Sequence, residues 1–95
     1  MSNKLENMKI SFTGRMKKDG IYEMAQEVIK LGATWDKDVS SETDILVKGE
    51  DYIEKPDELF FVKNSRLAHE HNVKQAEEFN TKIISEDEFY ELINN

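Results

Sequence analysis

The apolar positions of the 95-residue chain change period as it is followed, and those changes predict its elements. Met8, Ile10 and Phe12 alternate with Lys9 and Ser11, the two-residue period of a strand, and run into a polar turn at Thr13-Gly14-Arg15. Ile21, Met24, Ala25, Val28 and Leu31 then recur at helical spacing, with Asp19 placed to cap the first turn and Gly32 placed to stop the last. Ala33-Thr34-Trp35 reads as a brief edge strand, Asp36 to Thr43 as a polar connection, and Asp44 to Lys48 as a strand ended by Gly49. The continuous branched run Ile45-Leu46-Val47 is the pattern of a strand covered on both faces.

Glu50 to Lys63 follows as a long connection with five acids, three before and two after the single proline, Pro56, and then the apolar cluster Leu59-Phe60-Phe61-Val62. Connections of this length are often functional or mobile, and the apolar cluster could be a short strand, a helical turn folded onto the core or an exposed docking patch, with burial the expectation for a cluster of this size. A helix from Asn64 or Ser65 to Phe79 is predicted with an unusually polar inward stripe, roughly Leu67 or Ala68, Asn72, Ala76 and Phe79. Thr81 to Ile84 is a fourth strand. Ser85-Glu86-Asp87-Glu88 has capping-box spacing and opens a helix that buries Phe89, Leu92 and Ile93. Four short strands alternating with three helices imply a parallel sheet with helices on both faces. Residues 1–7 are polar and expected to be a flexible N-terminus, which leaves 8–95 as a single domain.

Composition narrows the chemistry. With 38% hydrophobic and 35% charged residues, the chain can close a small core beneath a strongly solvated surface. The absence of cysteine removes disulfides, thiol catalysis and cysteine zinc sites, and fits a reducing, cytoplasmic compartment. No apolar run approaches the roughly 20 residues that span a bilayer, and Met1 to Asn7 has no hydrophobic segment of a secretory signal, so no membrane role is expected. A net charge of -7 argues against nonspecific coating of nucleic acid, although Arg15, Lys17 and Lys18 could form a local cationic mouth after the first strand.

Other residues that invite a chemical role have simpler readings. His69 and His71 stand two apart on a helix and point to different sides, so a solvated pair is expected rather than a metal site. Trp35 is expected to cover the core edge rather than to stack on a ligand. Glu86, Asp87 and Glu88 favour a helix N-terminus without any need for chemistry. No nucleophile and base stand at recognisable catalytic spacing, so neither catalytic residues nor a cofactor are expected.

Taken in order, Thr13-Gly14, Lys30-Leu31-Gly32-Ala33, Val39-Ser40, Thr43 to Val47, Lys74 to Ala76, and Lys82 to Ser85 leading to Phe89 resemble the BRCT family over about Lys9 to Ile93. The likeness is greatest to the bacterial BRCT domains of NAD-dependent DNA ligases, here as a single domain without room for that enzyme's catalytic parts. The resemblance implies a four-stranded parallel sheet in order 2-1-3-4, with two helices on one face and the middle helix on the other. It also implies a non-enzymatic module of DNA replication and repair, working through protein–protein interaction. In members that hold a phosphate, a Ser or Thr hydroxyl and the next Gly amide meet a lysine of the middle helix, and Thr13 and Gly14 match. Counted back from Ala76, the lysine position falls on Asn72, and Lys74 lies two residues later, about 200 degrees around the helix. Lys74, Lys63, Arg66 or Arg15 could supply the charge instead. Ala33 and Phe89 replace a glycine and a tryptophan common in the family while keeping the packing role.

Thr13, Gly14, Arg15 and Lys74 are therefore the phosphate-site candidates, and a protein or phosphopeptide is the expected partner. A DNA end carrying a 5'-phosphate is the alternative. A receiver or flavodoxin-like enzyme of the same architecture is disfavoured, because Met8 to Phe12 carries no metal-binding acid and no glycine-rich phosphate loop occurs.

Overall fold

The computed structural model describes residues 5–94. Its elements are β1 (Lys9–Thr13), α1 (Ile21–Lys30), β2 (Thr34–Trp35), β3 (Ile45–Lys48), α2 (Phe60–Glu78), β4 (Lys82–Ser85) and α3 (Glu86–Asn94). The strands form one parallel sheet in the order β2-β1-β3-β4, with Ile10 opposite both Trp35 and Ile45, and Val47 opposite both Phe12 and Ile84. This is the α/β architecture expected, and it makes β1 a central strand.

Alternation along the strands gives the sheet two unlike faces. Ile10, Phe12, Ile45, Val47 and Ile84 pack with Met24, Ala25 and Val28 of α1 and Phe89 of α3 in the main core. There the Phe12 and Phe89 rings meet edge to face at 5.4 Å. The opposite face, beneath α2, has only a small apolar cluster of Val39, Leu46 and Ala76 with Val73 at its margin. The helix turns Arg66, His69, Asn72 and Ala76 inward. The polar stripe is real and Asn72 and Ala76 lie on it as expected, but Leu67, Ala68 and Phe79 are exposed and Arg66 and His69 take the inward positions before Asn72.

Helix ends follow local chemistry. After α1, Gly32 at φ +93° lets its own amide reach the Ile29 carbonyl and the Ala33 amide reach the Val28 carbonyl, a Schellman closure. Asn80, at φ +57°, does the same for α2: its own amide donates to the Glu77 carbonyl and the Thr81 amide to the Ala76 carbonyl. The capping box at α3 forms as its spacing predicts, with Ser85 N donating to Glu88 Oε1 at 3.0 Å and Glu88 N donating to Ser85 Oγ at 3.1 Å. Those bonds from Ser85 hold the Glu88 carboxyl below its ordinary value. Asp19 does not cap α1: Gly20 is the N-cap residue, and Asp19 Oδ2 accepts the Tyr90 hydroxyl at 2.8 Å, tying α3 to the loop after β1.

Two further expectations need correction. Within the terminal segment 1–7, residues 1–4 lie outside the described residues, but Leu5 is fully buried in the main core and its amide bonds the Leu31 carbonyl. The helix expected from Asn64 or Ser65 begins at Phe60, one turn earlier. Its first turn carries Phe60 and Phe61 outward, 79% and 67% exposed, with Leu59 exposed as the N-cap residue. The apolar cluster is thus not buried, because the first inward position of α2 belongs to Arg66.

Arg66 also accounts for much of the acidic connection. Its guanidinium donates from two nitrogens to Glu58, at 2.7 and 3.3 Å, and a third nitrogen lies 3.3 Å from Glu70 and 3.9 Å from Glu54. Glu58 holds Arg66 firmly protonated, and Arg66 lowers the Glu58 carboxyl in return. At the other end of the connection, Glu50 pairs with Lys17 at 3.0 Å and Arg15 at 3.4 Å. The acids after β3 are therefore pins that fasten the connection to α2 and to the loop after β1.

Candidate functional site

Loops leaving the carboxyl ends of central parallel strands border the crevice where open α/β sheets bind ligands. At the end of β1, Thr13 and Gly14 open into a cleft of about 410 Å³ whose walls include Trp35, Lys37 and Asp38, the Tyr52 side of the long connection, and Ser65, His69 and Asn72 of α2. Gly14 has φ +91°, a conformation that an L side chain rarely adopts. A Cβ there would come within 3.0 Å of the Glu50 carbonyl oxygen and of His69 Cε1. Glycine therefore lets the turn pass close beneath the imidazole.

His69 is buried, whereas the sequence suggested a solvated pair; only His71 is exposed. The ring stands between two partners brought from other elements. Thr13 Oγ1 lies 3.1 Å from Nδ1, and Asp51 Oδ1 lies 2.6 Å from Nε2. The His69 ring and then the Lys48 ammonium, 3.2 Å from Asp51, hold the Asp51 carboxyl below its ordinary value. An ionised carboxylate only accepts, so Nε2 carries a proton and, in the neutral ring, Nδ1 is left to accept the Thr13 hydroxyl. Hydroxyl, imidazole and carboxylate thus form one hydrogen-bonded line, an order also used by nucleophilic triads. Sequence reading missed it because the partners lie 56 and 18 residues from His69, on separate elements.

Asn72, at the position where the resemblance expects a lysine, has a different task. Its buried side-chain oxygen accepts the Val39 amide at 3.0 Å and so fastens the β2–β3 connection to α2. Lys74 is exposed and lies outside the cleft lining. Arg15 turns away to Glu50 and to the far side of Tyr52, and Arg66 is committed to Glu58. The lysine that lines the cleft is Lys37, which the sequence did not single out. Of the four phosphate-site candidates, the structure brings Thr13 and Gly14 together and places Arg15 and Lys74 elsewhere. The expected cationic mouth is internally matched: Arg15 and Lys17 with Glu50, Lys18 over the Tyr90 ring at 4.9 Å. Trp35 is half-buried, contributing to the main core and to the cleft wall while Tyr22 meets it edge to face at 6.5 Å.

Among the described residues no group of three or more His, Cys, Asp or Glu is placed to hold a metal ion, and no helix is long and apolar enough to cross a membrane.

No protein-family model matches the chain, and no curated protein matches it in sequence. In three dimensions it is similar to the crystal structure of Rad4 BRCT1,2 in complex with a Crb2 phosphopeptide, with a TM-score of 0.66 and 13% sequence identity. The similarity covers 99% of this chain and 42% of that one, so the chain spans less than half the length of its neighbour. The fold of this chain is BRCT-like.

Proposed function

We propose that this chain is a non-enzymatic BRCT-type binding module that recognises a phosphorylated segment of a protein partner in DNA replication or repair. The observation that carries the reading is the Thr13 hydroxyl beside Gly14 at the carboxyl end of a central parallel strand, facing a cleft that also holds Lys37 and the buried His69. A phosphate monoester needs donors and positive charge at close range, and a hydroxyl, a turn amide and an adjacent cation are suited to it. That the structurally similar Rad4 pair was crystallised with a phosphopeptide supports the same ligand class here. A DNA end is favoured less, because Arg15 and Lys17 are already paired with Glu50 and the chain carries a net charge of -7.

Fluorescence anisotropy with a phosphoserine peptide, its unphosphorylated twin and a 5'-phosphorylated duplex tests the proposal. The phosphopeptide is expected to bind best, and Thr13→Val, which keeps the shape and removes the donor, to weaken it about ten-fold, the worth of one charge-assisted hydrogen bond. Equal binding of the two peptides would overturn the reading. Preferential binding of the duplex, weakening steeply with salt, would replace it with the DNA-end function. The Thr13–His69–Asp51 line also calls for an esterase control: hydrolysis of an activated ester above background, lost in Thr13→Val, would contradict the non-enzymatic assignment.

A further inference from the structure

We infer that His69, once protonated, is the cation that completes the oxyanion site, so that binding of a phosphate monoester is coupled to proton uptake at its ring. The inference rests on the cleft being the phosphate site and deepens it by naming a charge held directly against the Thr13 turn, beside Lys37 in the cleft wall.

The Thr13 hydroxyl has a single proton to give. When the imidazole is neutral, Asp51 fixes the ring proton on Nε2 and leaves Nδ1 as an acceptor 3.1 Å from Thr13 Oγ1. The hydroxyl proton is then spent on His69, and its oxygen can offer an incoming oxyanion only lone pairs, which repel. A second proton, on Nδ1, reverses this. Nδ1–H donates to Thr13 Oγ1, the hydroxyl proton is free to turn into the cleft, and a positive charge appears against the site. One protonation thus supplies both the donor and the cation that a phosphate requires.

The surroundings fit such a role. His69 is held from both sides, so the charge is delivered in a fixed position rather than on a flexible stem. The Gly14 turn passes under Cε1 closely enough that no side chain could intervene. The charged and titratable groups facing the ring from its neighbours are Asp51 from the connection after β3, Lys48 of β3 behind Asp51, the Tyr52 ring at 5.7 Å, and Lys37 and Asp38 across the cleft. Asp51 favours the protonated ring. Lys48 and Lys37 oppose it, and an arriving dianion shifts the balance towards it. On the inner face of α2, Arg66 is neutralised by Glu58. Imidazole is the side chain whose charge ordinarily changes between about pH 5 and 8, which sets the range over which the coupling is to be sought.

Inorganic sulfate is the first probe, because a phosphate ester itself titrates near pH 6 and sulfate does not. NMR titrations of the whole chain from about pH 5.5 to about pH 8 are read at the Gly14 amide and the His69 ring nitrogens. Sulfate is expected to bind roughly ten-fold more tightly at the acidic end, with both ring nitrogens protonated in the complex and Nδ1 bare in the free protein at the alkaline end. His69→Gln should abolish the pH dependence and His71→Gln should keep it. A phosphoserine peptide should show an affinity maximum at intermediate pH in the wild type and only a rise with pH in His69→Gln. If the Gly14 amide responds to ligand but affinity for sulfate does not change with pH, or Nδ1 stays unprotonated in the complex, the inference is overturned while the cleft remains the phosphate site. If neither ligand moves that amide at any pH, both fail together. The ring-nitrogen reading on the wild type decides the matter even if a His69 variant does not fold.

Discussion

Replacing Asn72 with leucine tests whether this position has been given over to structure. The Asn72 side-chain oxygen receives the Val39 amide at 3.0 Å, and both residues are buried, so leucine of similar size removes the acceptor and leaves a buried N–H without a partner. An orphaned amide of this kind costs about 1 to 3 kcal/mol, partly offset by contacts of the new side chain with the small Leu46–Ala76 cluster. For a domain of this size, 1 kcal/mol shifts Tm by about 4 to 8 °C, so a fall of roughly 5 to 15 °C is expected. Thermal unfolding by circular dichroism measures it, and amide exchange locates it: Val39 should lose protection while the β1 and β3 amides keep theirs. An unchanged Tm with Val39 still protected would show that the side chain does not fasten the β2–β3 connection. Asn72→Lys extends the test. It gives up the same bond but places an ammonium in the cleft wall, so it should lower Tm and tighten binding of a phosphopeptide.

Gly14→Ala should destabilise the chain by about 1 to 3 kcal/mol, from the +91° backbone angle and the 3.0 Å approach to the Glu50 carbonyl, and should displace the His69 ring; wild-type stability in urea would refute the turn geometry. Acidification should unfold the chain through its paired carboxylates. Asp51, Glu50, Glu58 and Glu88 have folded-state values below the unfolded ones, so their contribution is complete above ordinary carboxylate values and is lost as pH falls through the lowered ones. Stability should therefore decline from about pH 4.5 downward, and only modestly per pair because most of these groups face solvent; a decline that begins near neutrality would point to other groups.

The architecture was legible because each element announces itself locally. The two-residue period of Met8 to Phe12, the branched run Ile45 to Val47, the Gly32 stop and the Ser85–Glu88 capping box each act within a few residues, where sequence and structure speak about the same neighbours. The start of α2 was misread for a physical reason: Leu59 to Val62 has the composition of a core, but the inward register of the helix is set by Arg66, His69, Asn72 and Ala76, whose polar members find partners only in the fold. The site divides in the same way. Thr13 and Gly14 are adjacent and could be read as a strand-end turn. Asp51, His69 and Lys37 come from three separate segments, and no local pattern links them. Arg15 looked available because its acid, Glu50, lies 35 residues away; Arg66 because its pairing with Glu58 depends on how the acidic connection folds back onto α2; and Lys74 because the phase of α2 decides whether it meets the cleft.

The central claim, that the end of β1 is a phosphate seat, is tested most directly by titrating the isotopically labelled chain with a phosphoserine peptide and following the Gly14 amide together with the His69 ring. The account predicts that both move and saturate together at millimolar ligand or below, that Thr13→Val raises the ligand concentration needed about ten-fold, and that the unphosphorylated peptide leaves both in place. It is contradicted if Gly14 and His69 stay fixed while resonances of Leu59, Phe60 and Phe61 shift, which would assign partner binding to the exposed start of α2 and leave the Thr13 turn a purely structural one.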